Sequence, residues 1–217
     1  PGLPAMTAGS LAKGGARLLE LQAACAFRAQ AELRLGAVPL EQVVQGIEPT
    51  ERGTFVHSAL AHLWAEIRSQ ARLLALDAPA RVAAIDRAID AALREVADSE
   101  RGVYARLLAI EADWLRGRIA ELLDADRARA DFEVLHRERK EVLTLGPLTL
   151  ELRLDRIDRL ADGSLAVIDY KTGASTNPTG WTGERPTSPQ LPAYALACKP
   201  LGTLGAVAFG KLHASMT

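Results

Sequence analysis

The segment Leu152 to Gly173, LRLDRIDRLADGSLAVIDYKTG, constrains the fold more than any other part of the chain. Just before and into it, Leu150, Leu152 and Leu154 alternate with Glu151, Arg153 and Asp155. A period of two marks a strand with one buried face. Leu165 to Tyr170 (LAVIDY) is a second run, rich in apolar and β-branched residues. Between the runs lies Ala161-Asp162-Gly163, with glycine where a three-residue hairpin loop needs a left-handed residue. That loop pairs Leu160 with Ser164. Asp155 then falls opposite Asp169 and Arg153 opposite Lys171, and opposite residues share a face. Asp155, Asp169 and Lys171 converge on one side, with Ile157 and Val167 packing beyond them. A two-residue loop would slip the register by one and turn Asp155 away from Asp169.

Two carboxylates directly opposite each other repel. A divalent cation between them removes the repulsion, because hard cations take carboxylate oxygens. A lysine beside them can orient a water or balance charge developing on a phosphate. The competing reading is a surface hairpin, with Asp155 paired to Arg153 or Arg156 and Lys171 in solvent, since exposed ion pairs are common and worth little.

With 217 residues, 48% of them hydrophobic, the chain can build one sizeable core, or a core plus a helical lobe. Its net charge of −1 shows no global basic bias, so any DNA contact must come from a local patch or a partner. Cys25 and Cys198 form no CxxC pair and suggest neither a disulfide framework nor a zinc site. A reducing, cytoplasmic setting is expected. No signal peptide and no long uninterrupted apolar run is seen, so no membrane span is expected. The abrupt start at Pro1-Gly2-Leu3-Pro4 and the ending in Ala206-Val207-Ala208-Phe209 plus a short polar tail read as those of a fragment of a longer protein.

Along the chain, Leu18 to Leu35 has helical apolar spacing, with Gly36 as its stop. Gly46 to Gly53 reads as a loop and Thr54 to Gln70 as a helix with Phe55, Leu60, Leu63, Trp64 and Ile67 as its apolar stripe. Pro79 to Val96 and Tyr104 to Arg129 read as further amphipathic helices, and Asp131 to Val142 as a strand that turns at Gly146-Pro147 into the hairpin. A Gly/Pro/Thr-rich loop follows from Gly173 to Pro189. Gln190 to Cys198 is then a short helix, with Ser188 as its cap and Pro189 in its first turn, and Ala206 to Leu212 a last strand. Helices, three strands, a helix and a strand make an α/β or α+β fold. His57 shares a helix side with Leu60, Ala61 and Trp64, which suits a semi-buried histidine or a ligand; His62 is one residue off that side. Gly53 could let backbone approach a ligand closely. Gln190 and Tyr194, four apart, share a face that is either an ordinary amphipathic surface or a polar pair laid beside the acidic hairpin.

Taken in order, RGTFVH (Arg52 to His57), LRLDRID (Leu152 to Asp158), IDYKTG (Ile168 to Gly173) and QLPAY (Gln190 to Tyr194) resemble the RecB-type nuclease branch of the PD-(D/E)XK superfamily. LQAACAFRAQAELRLGA (Leu21 to Ala37) looks like the segment preceding this nuclease in AddB-like proteins and in bacterial proteins called probable DNA repair proteins. WTGERPTSPQLPAY (Trp181 to Tyr194) is similar to the latter group in particular. Most of the chain is covered; any one motif is weak, and four in order are strong. The resemblance implies a restriction-endonuclease-like core, a mixed central β-sheet flanked by helices, with a helical lobe inserted over residues 72–130 of a single nuclease domain spanning 1–217. It implies a metal-dependent deoxyribonuclease, an exonuclease of DNA repair and recombination, with DNA as substrate and a helicase domain or subunit as partner. His57, Asp155, Asp169 and the Tyr170 carbonyl would hold the metal. Lys171 would position or activate the attacking water, with Asp155, Asp169 and Lys171 the catalytic set. Gln190 and Tyr194 would contact DNA or orient Lys171. The family hairpin is often GRIDRID, and Leu152 stands here where that glycine falls. Asp158 faces away from Asp155 and is expected to pair with Arg156 or Arg159. Some AddB-like nucleases hold an iron–sulfur cluster on four cysteines; Cys25 sits near the early position and the late trio is absent, either cut away or missing from this branch, so no cluster is expected in this fragment.

Mg²⁺ suits a site with so few protein ligands, and Mn²⁺ accepts the imidazole more readily, so activity with both is expected. Two rival readings are a nuclease-like module that only binds DNA or a helicase partner, and an acidic structural metal site. The first would be free to lose Asp155, Asp169 and Lys171; the second needs neither Lys171 nor the Gln190/Tyr194 pair.

Overall fold

The hairpin forms in the register its glycine dictates. In the computed structural model, Leu160 N–H donates to the Ser164 carbonyl at 2.8 Å and Gly163 takes a φ of 81°, so the loop is Ala161-Asp162-Gly163. The rungs run Arg159–Leu165, Asp158–Ala166, Ile157–Val167 and Arg156–Ile168, which carries Asp155 to the level of Asp169. The structure describes residues 9–37, 47–97, 102–173, 178–181 and 185–212.

Five strands are described: β1 (Leu11–Ala12), β2 (Phe132–Leu145), β3 (Leu148–Leu160), β4 (Leu165–Lys171) and β5 (Leu204–Lys211). β3 pairs antiparallel with β2 along its full length and with β4 at its far end; β1 on β3 and β5 on β4 are parallel. The sheet is therefore mixed. β2 fills one edge of β3, so β1 and β4 share the other, and residues 151–155 lie between them without a strand partner among the described residues. Leu150, Leu152 and Leu154 join the same core as Ile157 and Val167, although strict alternation would put Leu154 and Ile157 on opposite faces. The phase changes at Asp155. Leu152, at the family's glycine position, is 1% exposed and simply joins this core.

The helices are α1 (Ala16–Ala24), α2 (Ala26–Leu33), α3 (Pro49–Ile67), α4 (Gln70–Ala75), α5 (Ala78–Ala97), α6 (Gly102–Arg127) and α7 (Gln190–Cys198). Several differ from the reading by pattern. The expected helix over Leu18 to Leu35 is two, because Cys25 is extended at φ −164° and breaks it. Part of the expected loop Gly46 to Gly53 is helix: Pro49 opens α3, where its missing N–H costs nothing. Gly53 therefore lies inside α3, and a Cβ there would meet only Thr172 Oγ1 at 3.9 Å. α3 stops at Ile67 because Arg68 turns left-handed at φ 64°, and Ser69 then caps α4 by accepting from Arg72 N–H. β1, too short to show a period, was not expected. α7 begins behind Pro189, and no side chain caps it, Ser188 included. Much of the expected loop over Gly173 to Pro189 lies outside the described residues.

α3 buries Phe55, Val56, Leu60, Leu63, Trp64 and Ile67 against α5, α6 and the sheet residues Phe132, Val134, Ile168 and Tyr170. Each large side chain contributes about 1.5–3 kcal/mol, and truncating Leu60, fully buried, to alanine would cost about 2–5 kcal/mol. α1 and α7 contribute Leu18, Leu19, Leu191, Tyr194 and Ala197 to the second core. α4 to α6, spanning Gln70 to Arg127, cover the stretch expected as a lobe, and their apolar side is continuous with the first core. No described helix is long and apolar enough to cross a membrane.

Candidate active site

The ladder between β3 and β4 stops at Arg156–Ile168, and Asp155 explains why. Its Oδ2 takes the Tyr170 N–H at 2.7 Å, a donor that the next rung would have used. The strands part there, and the gap fills with polar side chains. His57, from the first half of α3, enters it: Nε2 lies 3.1 Å from the Tyr170 carbonyl oxygen and Nδ1 3.2 Å from Asp155 Oδ1. A carbonyl only accepts, so Nε2 carries a hydrogen and a neutral ring presents the Nδ1 lone pair toward the carboxylates. Burial pulls the His57 pKa down, but the Asp155 hydrogen bond and charge outweigh it and the net direction is up.

Asp155 and Asp169 are 7% and 1% exposed. Burial, then the charge of Asp155, pushes the Asp169 carboxyl up to about 6, against the opposing pull of Lys171. Asp169 Oδ1 accepts from Gln190 Nε2 at 2.9 Å. Its Oδ2 is buried 2.8 Å from Lys171 Nζ but out of alignment, and accepts no hydrogen bond from the described residues. Gln190 links the group: its Oε1 accepts from Lys171 Nζ at 2.5 Å, and its Nε2 also reaches the Tyr194 hydroxyl at 2.8 Å. Burial raises the Tyr194 pKa, keeping the hydroxyl protonated. The structure thus brings together His57, Asp155, Asp169, Tyr170, Lys171, Gln190 and Tyr194. His62 lies elsewhere, bonded to Glu95 of α5 at 2.8 Å. Asp158 pairs with Arg156 at 2.6 and 2.7 Å, as expected, but does not face away from Asp155. With Leu154 and Ile157 both in the second core, both aspartates lie on the side of α3. Arg159 pairs with Glu133 instead. Cys25 is exposed and Cys198 buried.

One member is absent from the reading by pattern. Glu138 of β2 falls opposite Asp155, yet that rung is missing from the ladder. Its φ is 48°, uncommon for a residue with a side chain. Its carboxylate lies 3.8 Å from His57 Nδ1 and is tied to Arg153, and burial, then the Asp155 charge, raises its pKa. Ligand atoms of His57, Glu138 and Asp155 all lie within 4.8 Å of one another, a grouping that excludes Asp169.

The donor set fits a divalent metal ion. Burial and the nearby Asp155 charge raise the Glu138 and Asp169 carboxyls despite Arg153 and Lys171 beside them. Asp169 Oδ2 accepts no hydrogen bond from the described residues, and an imidazole nitrogen faces the group: a divalent cation would suit these donors. No curated protein sequence matches the chain significantly. The family model of the PD-(D/E)XK nuclease superfamily matches residues 16–213, from α1 past β5 and across every residue of this site. By that match, over a mixed sheet flanked by helices, the chain belongs to the PD-(D/E)XK nuclease superfamily.

Proposed function

We propose that the protein is a metal-dependent deoxyribonuclease of the RecB/AddB-like kind, an exonuclease hydrolysing DNA phosphodiesters in repair and recombination. The observation that carries this reading is the buried Asp155/Asp169 pair with Lys171 beside it, Nζ 2.8 Å from Asp169 Oδ2. His57 through Nδ1, Asp155 and Glu138 would hold the ion, with Asp169, outside that grouping, completing the set through its unbonded Oδ2 and the Tyr170 carbonyl alongside. Mg²⁺ or Mn²⁺ bound there supplies a water of lowered pKa and polarises a phosphoryl oxygen.

The chain's own side chains do the rest. Lys171 carries a positive charge that orients the attacking water and balances negative charge on the phosphate in the transition state. Gln190 keeps the ammonium in place by accepting from it and fixes Asp169 by donating to it. Tyr194 holds Gln190 from behind. His57 Nε2 on the Tyr170 carbonyl fixes the ring orientation, as outer hydrogen bonds do for ligating imidazoles.

The test is cleavage of linear single- and double-stranded DNA with Mg²⁺ or Mn²⁺, comparing wild type with Asp169→Ala and with EDTA. Cleavage lost in both controls is expected. Undiminished cleavage by Asp169→Ala would overturn the assignment. Metal binding and DNA binding without cleavage would favour a module that only binds.

A further inference from the structure

Behind the site lies a charged group that none of the proposed chemistry uses. Arg156, the neighbour of Asp155 on β3, is 1% exposed. Its guanidinium pairs with Asp158, with Asp126 of α6 at 2.9 Å, and reaches the Tyr170 hydroxyl at 3.3 Å. It also stacks 3.7 Å over the Trp64 ring and 4.7 Å from Phe132. Arg129 completes the cluster, bonded to Asp126 at 2.6 Å and to Asp158 at 3.1 Å. Two guanidiniums thus meet two carboxylates. An apolar side chain of similar shape fills such a place with no desolvation cost, so a buried ion group is weak evidence for stability alone.

Besides α6 and β2, the partners of Arg156 lie on three of the elements that carry the site, α3, β3 and β4. It follows Asp155 directly. Its partner Tyr170 gives its N–H to Asp155 and its carbonyl to His57, and sits between Asp169 and Lys171. Its stacking partner Trp64 lies seven residues, two helical turns, after His57 on α3. We infer that Arg156 is a positioning residue: it clamps α3 and β4 onto β3 from behind and so sets the spacing of His57, Asp155 and Asp169 for the metal. Asp126 anchors the clamp to α6. This rests on the proposed metal-dependent reading of the site.

The experiment is Mn²⁺ binding by calorimetry, on protein shown to be folded by circular dichroism, for wild type, Arg156→Lys, Tyr170→Phe, Arg129→Gln and Asp169→Ala. Lysine keeps the charge but not the fork or the stacking plane. Arg156→Lys is expected to weaken Mn²⁺ binding about 10-fold or more, the size seen for outer partners of metal ligands. Arg129→Gln loosens the same cluster, but its polar and ring contacts, Asp126, Asp158 and Phe132, include neither Tyr170 nor Trp64. It is expected to lower the melting temperature and leave Mn²⁺ affinity unchanged. Wild-type affinity in Arg156→Lys, or an equal loss in Arg129→Gln, would overturn the inference. Should Arg156→Lys fail to fold, Tyr170→Phe decides: it deletes only the hydroxyl, a several-fold loss is expected, and no loss overturns. Wild type that binds no Mn²⁺, or Asp169→Ala that binds it equally, would instead overturn the metal reading itself.

Discussion

Replacing Asp169 by asparagine should make the metal-free protein more stable at neutral pH, and the structure sets the size. A carboxyl moved from 3.8 to about 6 has its ionised form disfavoured by about 3 kcal/mol. A raised carboxylate pKa contributes stability that is fully present below the unfolded value, and that is lost as pH rises through the folded one. Wild type should therefore lose up to about 3 kcal/mol between pH 4 and 7 that Asp169→Asn does not lose. The asparagine oxygen can still accept from Gln190, so that bond survives. The pull of Lys171 is already contained in that raised pKa, but the asparagine amide N–H that replaces Oδ2 meets the Lys171 ammonium donor to donor, at a cost of about 1 kcal/mol. The net gain at pH 7.5 is about 2 kcal/mol, or about 4–8 °C in melting temperature for a chain this long. Urea unfolding in EDTA at pH 4.5, 6 and 7.5 measures it. The two stability profiles should diverge as pH rises. Adding Mn²⁺ at pH 7.5 should reverse the order, because only wild type keeps its full ligand set. Parallel profiles across that range would refute the reasoning that Asp155 and burial together hold Asp169 in a disfavoured charge state.

Two further substitutions probe the site's construction. Glu138→Gln should weaken Mn²⁺ binding several-fold by calorimetry, since it removes one of the carboxylates grouped with His57 and Asp155; wild-type affinity would remove Glu138 from the donor set. Gly210 of β5 pairs with Tyr170, and a Cβ there would sit 2.5 Å from Tyr170 Cδ1. Gly210→Ala should destabilise by about 1–3 kcal/mol in urea, the usual cost of overfilling a packed core, and unchanged stability would contradict the packing.

The level of Asp155 and Asp169 was legible because the hairpin states its own register, but the face was not, since the phase change puts Leu154 rather than Asp155 in one core with Ile157 and Val167. Ala161-Asp162-Gly163 fixes the pairing, and the pairing fixes the level of Asp155 and Asp169. Glu138 could have been found by the same reasoning. Gly146-Pro147 is a two-residue connection pairing Leu145 with Leu148, and stepping back along it brings Glu138 opposite Asp155. The run HRERKEV hid this, because consecutive charged residues show no apolar alternation from which a face can be read. The irregularity between Val134 and His136, and the left-handed Glu138, depend on the opposite strand and leave no local mark. Arg156 shows a different limit. Its pairing with Asp158 follows from proximity in sequence, but Asp126, Trp64 and Tyr170 are distant along the chain and meet it only through packing. Helix ends failed where one residue's backbone decided them: Cys25 splits α1 from α2, and Arg68 ends α3.

The most direct test separates metal holding from chemistry at Lys171. Mn²⁺ affinity and Mn²⁺-dependent cleavage of end-labelled linear DNA are measured side by side for wild type and Lys171→Ala. The account predicts cleavage by wild type, with Mn²⁺ affinity retained in the variant and its cleavage rate down by about 10²–10³-fold, as when a transition-state charge partner is removed. Equal cleavage by the two proteins would contradict it.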